Sequence, residues 1–453
     1  MTGATARRLY SLGWYVALPW VAAYLLLRSL RQPQYRRNWR ERFFGAGPAP
    51  AVPATGASAA APTIWLHAVS VGETRAAQPL IERLAARYPS AGFVLTHMTP
   101  TGREAAQPLL QALAGRITQR YLPYDLPAAV RRFLGEVRPS ILVLLETEIW
   151  PNLQFEAQRA AVPVVLVNAR LSERSLARAL RWPALMRPAA AALSAVAAQS
   201  ASDQSRWAKL YPGPIRVTGN LKFDAAPPAG QLEAGQTRRG RLRLGVWMFA
   251  STREGEERAI VDALTAAAQD GKPYPALLFV PRHPQRFDEV ARLLAALGHP
   301  VVRRAQFDSM PADSRVLLGD SMGEMPMYYA MADIALIGGS LEPLGGQNLI
   351  EACACGCPVL FGPHMFNFSQ AAADALACGA ALQVSDAAEA VRAMFELQAD
   401  PKRRKKMAQA ALAFAQEHRG ATERTVELID RLLSSPVPRV GGGGGEGVDQ
   451  SCL

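Results

Sequence analysis

The 453-residue sequence predicts an α/β protein of two doubly wound domains behind an N-terminal apolar helix. Three observations predict it. Short, β-rich apolar runs alternate with Ala/Leu/Arg-rich helical stretches. The alternation stops once, at a polar stretch rich in Pro and Gly near the middle, and then restarts. Ahead of it lies one long uncharged run between arginines.

That first run extends from Leu9 to Leu27, 19 residues without a charge, between Arg7–Arg8 and Arg28. Its length is about what a helix needs to cross a bilayer core. It is longer than the apolar region of a signal peptide, and no small-residue cleavage site follows. Six arginines from Arg28 to Arg42 follow the run and two precede it, which places the body on the cytoplasmic side. An interfacial helix is the other reading, since Tyr10, Trp14, Tyr15, Trp20 and Tyr24 carry amphipathic rings and Pro19 can bend the helix. Much of the formal net charge of +12 sits here, because residues 1–45 hold eight arginines against Glu41 alone. Such a segment suits anionic membrane lipids. The body has no interleaving of aromatic and basic residues, so no nucleic-acid partner is expected. Five cysteines without framework spacing argue against a secreted disulfide scaffold.

The expected boundaries follow from composition. Residues 1–45 form the anchor and basic segment, and 46–62 a Pro/Ala/Gly linker. In the first domain, 63–223, TIWLHAVS (63–70), GFVLTHMT (92–99), ILVLLETE (141–148), VPVVLVNA (162–169) and IRVTGN (215–220) read as buried strands. Residues 224–240, DAAPPAGQLEAGQTRRG, read as an interdomain linker. In the second domain, 241–435, GVWMFAST (245–252), ALLFVPRH (276–283), RVLLGDS (315–321), IALIGGS (334–340) and PVLFGP (358–363) repeat the pattern. The glycine-rich 436–453 reads as a disordered tail. Two doubly wound sheets facing a cleft would bind ligands outside their strand C-termini.

Chemistry-bearing residues fall at those strand ends. In HAVSVGET, Glu73 follows a glycine turn and opens a helix. It fits a general base that takes a proton from a hydroxyl, and equally a first-turn carboxylate complementing the helix dipole. In LLETEIWPN, strand alternation would put Glu146 and Glu148 on one face, where buried carboxylates need partners. Lys222 of VTGNLKFD could be that partner, or could neutralise a phosphate leaving group. In the second half, Pro281 and Arg282 end a strand, Met322, Gly323 and Glu324 turn into a helix, and Asn348, Leu349, Ile350 and Glu351 open another. Helix N-termini of this kind can hold phosphate, and a first-turn Glu can accept ribose hydroxyls. The glycine pairs around residue 340 match neither the P-loop nor the dinucleotide fingerprint. In CACGC (353–357), helical spacing puts Cys353 and Cys357 on one face with Cys355 away from them, so small buried side chains are expected and no metal.

With those residues in view, the chain resembles the 3-deoxy-D-manno-octulosonic acid (Kdo) transferases of lipopolysaccharide synthesis. The resemblance runs from the arginine-rich segment to about residue 430, through HAVSVGET, HMTPTGRE, YLPYDLP, ETEIWPN, NARLSERS, VTGNLKFD, PRHPQRF, GDSMGEM, GGSL, NLIEA and GPHMFNF. It implies the GT-B architecture of two Rossmann-like domains. It implies that Glu73 is the proton acceptor, that Glu146 and Lys222 stabilise the transition state, and that the residues at 281–282, 322–324 and 348–351 bind the CMP part of CMP-Kdo. It also implies a tetraacylated lipid A precursor as acceptor, an inner-membrane location, inversion at the sugar, and no metal or other cofactor. CACGC, EPLGGQN and the glycine-rich tail depart from the family pattern. Two alternatives stay open: a GT-B enzyme using another nucleotide sugar on a membrane lipid, and a non-catalytic membrane scaffold.

Overall fold

The structure, a computed structural model, describes residues 2–49, 61–269 and 274–434. Most of the expected 46–62 linker and the expected tail from 436 lie outside the described residues. The chain divides into two compact units. One is built from the chain up to Leu221 together with the helix after Gly420; the other is Lys222–Arg419.

The first unit holds a parallel sheet of β1 (Thr63–His67), β2 (Gly92–His97), β3 (Ile117–Tyr121), β4 (Ile141–Leu145), β5 (Val164–Ala169), β6 (Ala195–Ala198) and β7 (Ile215–Val217). Their order is β3-β2-β1-β4-β5-β6-β7. β4 shows why the strands read as unbroken apolar runs. Ile141, Val143 and Leu145 enter one core with Ile64 and Leu66. Leu142 and Leu144 enter the opposite core with Trp65 and Phe133. A parallel sheet covered by helices on both faces has no solvent side to make polar.

The second unit repeats the plan with β8 (Val246–Thr252), β9 (Ala276–Pro281), β10 (Val301–Arg303), β11 (Val316–Leu318), β12 (Ile334–Ile337), β13 (Val359–Phe361) and β14 (Ala381–Gln383). Here the order is β10-β11-β9-β8-β12-β13-β14, again all parallel. Four strands, β3, β6, β10 and β14, have no counterpart among the runs picked out in the sequence.

Two boundaries differ from those expected. Residues 224–240 are no free linker. After a 3-10 turn at Leu221–Asp224 comes a helix, Ala229–Arg241, which belongs to the second unit. A Cβ on Gly235 would stand 2.3 Å from the Met327 carbonyl, so the glycine lets this helix approach the backbone of the helix Met325–Met331. Arg239 adds an ion pair to Asp333 at 2.9 Å. Tertiary packing thereby overrides a weak local propensity. The helix Ala421–Ser434, expected in the second domain, packs instead in the first unit. Its Ala421, Val426 and Ile429 join the core of Leu80 and Leu84, and Arg83 and Tyr88 bond Glu423 and Asp430.

The N-terminal helix spans Gly3–Arg31 and continues through Pro19. Residues 3, 6, 7, 10, 11, 14, 17, 18, 21, 22, 25 and 29 are buried or half-buried, a stripe at helical spacing along its whole length. The stripe docks on the first unit. The Arg7 guanidinium lies 3.3 Å from the centre of the Phe155 ring, the Ser11 hydroxyl donates to Asn152 Oδ1 at 3.0 Å, and Trp14 packs on Tyr124. The opposite face leaves Leu9, Leu12, Val16, Trp20, Leu27 and Leu30 exposed.

Because Ile429 is fully buried in the first core, Ile429→Ala is expected to cost about 2–4 kcal/mol. Urea unfolding followed by tryptophan fluorescence measures it. A loss below about 0.5 kcal/mol would mean that this helix is not part of the core.

Candidate functional site

The strand order dictates where a site forms. Helices leave β1 and β4 toward opposite faces of the sheet, so the loops after these neighbouring strands part and leave a crevice at their C-terminal ends. After β1 come Ser70 and Glu73, and after β4 come Glu146 and Glu148.

Ser70 caps the helix Val71–Arg87, its hydroxyl accepting the Glu73 N–H at 3.4 Å. The Glu73 carboxylate folds back and accepts the Val69 N–H at 2.5 Å and the Ser70 hydroxyl at 3.4 Å. Burial pushes the Glu73 pKa up to about 8, and the charges of Glu146 and Glu148 push the same way, against the two hydrogen bonds. Glu73 thus sits in the first turn of the helix that Ser70 caps, with its carboxyl pushed toward holding a proton near neutral pH.

Glu146 and Glu148 do not end a strand, as the alternation argument assumed. β4 stops at Leu145, and Glu146 adopts a left-handed φ of 60°. Its N–H donates to Val167 O at 3.0 Å and its carbonyl accepts from the Arg170 N–H at 3.1 Å, which holds this unusual backbone in place. Glu148 accepts the Trp150 indole N–H at 2.6 Å. Its other neighbour is His67, at the end of β1, whose Nε2 is 4.0 Å away. His67 is fully buried, and its Nδ1 shares a 2.9 Å hydrogen bond with Thr96 Oγ1. Burial holds the imidazole pKa down at about 3, with His97 adding to the shift, so His67 is neutral. Burial lifts Glu148 to about 7, the Trp150 hydrogen bond opposing and the Glu146 charge assisting. Burial thus disfavours the ionised form of both Glu73 and Glu148 at this crevice. Glu148, His67 and Trp150 are the members that the sequence reading left out of the site. The signal was available in ETEIWPN but was spent on strand alternation.

Lys222 lies in the 3-10 turn of the second unit, its Nζ 5.2 Å from the centre of the Phe368 ring. In that unit the expected residues lie at the end of β9 and in the segments that follow β9, β11 and β12. Pro281 ends β9, and the Arg282 N–H donates to Thr252 O at 3.0 Å. Met322 is exposed, Gly323 has a φ of 83°, and Glu324 precedes the helix Met325–Met331. The Glu324 carboxylate pairs with the Arg304 guanidinium at 2.7 and 2.8 Å, and this hydrogen-bonded pairing holds its pKa low. Asn348 caps the helix Leu349–Ala354 by accepting the Ile350 N–H at 3.2 Å, with Glu351 in the first turn. The side chains of Leu349 and Ile350 are buried in the core, so neither can present more than backbone to a ligand.

The amides at the glycine turn after β12 are taken up by a carboxylate of the chain itself. Glu256, buried in the opening turn of the helix Glu256–Gln269, accepts the N–H groups of Gly339, Ser340 and Leu341 at 2.6 to 3.1 Å. Gly338 is required for close approach, since its Cβ would fall 2.5 Å from Ser251 O. Cys353 and Cys357 are buried, and Cys353, Cys355, Cys357 and Cys378 are free thiols. Among the described residues no group of three His, Cys, Asp or Glu side chains is placed to hold a metal ion.

Two parallel sheets of Rossmann type, one in each unit, make up the GT-B fold. Residues 300–414 match the family model for group 1 glycosyl transferases. Solved structures share the fold at low identity. A glycosyltransferase from Rickettsia africae has a TM-score of 0.58 at 13% identity, with 83% of this chain and 100% of that one covered. A UDP-GlcNAc 2-epimerase from Neisseria meningitidis has 0.56 at 16%, with 82% and 100% covered. Residues 37–225 match the model of 3-deoxy-D-manno-octulosonic-acid transferase. The chain is 47% identical to the enzyme of that name from Bordetella pertussis over 386 residues, 83% of this chain and 90% of the relative. It is 34% identical to that of Haemophilus influenzae over 427 residues, 93% and 97%. The chain belongs to the Kdo transferase family.

The raised pKa of Glu73 has a consequence for stability. The folded state keeps a proton that the unfolded state gives up near pH 4.5, so stability falls as pH rises from about 4.5 to about 8. Glu73→Gln removes that dependence. Relative to the parent it is expected to gain roughly 1–3 kcal/mol more at pH 8.5 than at pH 5. Thermal unfolding at the two pH values measures the difference, and an equal effect at both would show that the carboxyl is not held protonated by the fold.

Proposed function

We propose that this chain transfers Kdo from CMP-Kdo to a hydroxyl of a lipid A precursor at the cytoplasmic face of the inner membrane, with inversion and without a metal ion or other cofactor. The observation that supports it most is a single one. In a member of this family, a carboxyl poised to exchange a proton near neutral pH stands at the switch point of the first sheet. Glu73 accepts the proton of the acceptor hydroxyl as its oxygen attacks the anomeric carbon of Kdo, and CMP departs with the electron pair of the broken C–O bond. Glu146 and Lys222 stabilise charge in the transition state, and the cationic Lys222 and helix N-termini meet the phosphate of the leaving group. Pro281, Arg282, Met322, Gly323, Glu324, Asn348 and Glu351 hold the donor, with Leu349 and Ile350 contributing backbone alone.

Membrane lipids are the remaining partner. The helix Gly3–Arg31 is long and apolar enough to cross a membrane. Docking along its whole length favours a helix lying on the membrane surface, with its outer face in lipid. A crossing helix in this arrangement would carry Arg131, Glu156 and Arg159 of the first unit toward hydrocarbon.

Turnover of purified enzyme separates this reading from its rivals. Donor-dependent release of CMP is expected, and release of UDP or GDP instead would assign a different nucleotide sugar. Glu73→Gln is expected to lower turnover at least about a hundredfold. Turnover at the parent level in that variant would remove Glu73 as the base.

The pH profile tests the neighbouring charge. The base form of Glu73 grows in as pH rises toward about 8, so kcat/KM should climb over that range. Glu148→Gln deletes one of the charges that raise Glu73, and the climb should shift to lower pH by about half to one unit. An unmoved limb would show that Glu148 does not act on Glu73.

A further inference from the structure

A pocket of about 350 Å3 opens where the first turns of the N-terminal helix meet the helices Pro127–Val137 and Pro151–Arg159. Four of its lining residues are arginines: Arg7, Arg8, Arg131 and Arg159. Glu156 is the one carboxylate among them, and it is 2% exposed. It pairs with Arg131 at 3.1 Å, Arg159 at 3.2 Å and Arg7 at 3.8 Å. One buried carboxylate thus anchors three guanidiniums, and Arg8 adds a fourth. Arg7 is fixed further by its stacking on Phe155. The surplus charge shows at Arg7, whose pKa is lowered first by burial and then by repulsion from Arg159, Arg8 and Arg131, with Glu156 opposing.

The rim of the pocket is apolar. Leu12 and Tyr15 line it and are 59% and 48% exposed. They continue into the outward face formed by Leu9, Val16 and Trp20. A soluble anion would use the guanidiniums and leave that rim wet. A lipid would use both parts, since guanidinium forks match phosphate oxygens bidentately while the rim meets glycerol and acyl carbons.

We infer that this pocket binds the phosphate of an anionic lipid headgroup, seating the first unit on the membrane through Arg7, Arg8, Arg131 and Arg159. The inference rests on the membrane-surface reading of the N-terminal helix given above.

Flotation of the purified full-length chain with vesicles tests it, using phosphatidylcholine alone or with phosphatidylglycerol added to about a third of the lipid. The parent chain should bind the anionic vesicles more tightly, and increasingly so as salt is lowered. Arg131→Gln with Arg159→Gln should weaken anionic binding about twentyfold, at about fivefold per guanidinium, and leave phosphatidylcholine binding unchanged. The paired Lys substitutions keep the charge and lose the guanidinium fork, so their binding should fall between that of the parent and that of the Gln pair. Thermal unfolding checks that the variants fold. If the double Gln variant does not, Arg8→Gln at an exposed helix position gives the same readout at about fivefold.

A fall no larger than that of Arg36→Gln with Arg37→Gln, which lie outside the pocket, overturns the inference. Displacement by inorganic phosphate beyond that by chloride at matched ionic strength is expected, whereas inorganic phosphate that protects the parent chain from unfolding yet leaves flotation unchanged would mark a free-phosphate site and overturns the inference. A parent chain that floats with neither vesicle overturns the membrane reading as well. One that floats equally with both, before and after substitution, overturns the pocket alone.

Discussion

Three carboxyl groups at the C-terminal ends of two neighbouring parallel strands set the terms for everything around them. The strand order β3-β2-β1-β4-β5-β6-β7 makes β1 and β4 adjacent while their helices leave on opposite faces, so the loops after them cannot cover one another. Glu73, Glu146 and Glu148 occupy those loops. Burial lifts Glu73 to about 8 and Glu148 to about 7, and the neighbouring carboxylate charges add to both shifts. Like charges in a partly buried site cannot all be present at once, and the fold resolves this by holding protons there at neutral pH.

The supporting groups are arranged so that the site cannot relax. Glu73 is tied to the turn it caps, through Val69 N–H and the Ser70 hydroxyl. Glu148 is held by the indole of Trp150 and faces a His67 that burial keeps neutral. A charged imidazole at that position would pull Glu148 toward ionisation and weaken its influence on Glu73. Thr96 links this support to the sheet, since its hydroxyl oxygen meets both the Trp65 indole and the His67 ring. The positive φ of Glu146 is enforced by two backbone hydrogen bonds to the neighbouring β5 segment. His67 and Thr96 thus come from the sheet, while the donors Val69, Ser70 and Trp150 stand in the loops that leave it.

Legibility in the sequence tracked how much of each feature was local. Strands with long apolar runs, such as ILVLL and VWMFAST, were plain, because a strand buried on both faces shows itself by composition alone. ITQRY, with Arg120 buried and bonded to Gly45 O and Glu136, carries too many polar groups to read as a strand. VVR and ALQ are edge strands of three residues, too short to register. The helix 229–241 was hidden by its glycines, one of which exists to admit a neighbouring helix, and composition cannot tell that use from a linker. The allegiance of Ala421–Ser434 depends on contacts more than 300 residues away in sequence, such as Arg83 with Glu423, and no local pattern encodes it. Glu73, Glu146 and the loops proposed for the donor could be singled out because strand-end position and glycine turns are local. Glu148 was seen but not placed, because its face was argued from a strand that in fact stops at Leu145. Glu256 was missed since its partners are three amides 83 to 85 residues away.

The N-terminal helix shows how one composition can serve two surfaces. An apolar run with aromatic rings and flanking arginines satisfies the criteria for a span and for an interfacial helix alike, because both need a lipid-compatible exterior. What separates them is whether the other face is also claimed. Here it is claimed at every turn, from Gly3 against Pro188, through Ser11 on Asn152 and Trp14 on Tyr124, to Ser29 accepting from the Arg36 guanidinium. Asn152 in turn donates its backbone N–H and side-chain amide to Asp125, and it opens the helix that follows Glu148 and Trp150. The N-terminal helix is thus joined by hydrogen bonds to the helix whose preceding loop carries Glu148, so it is part of the frame of the first unit.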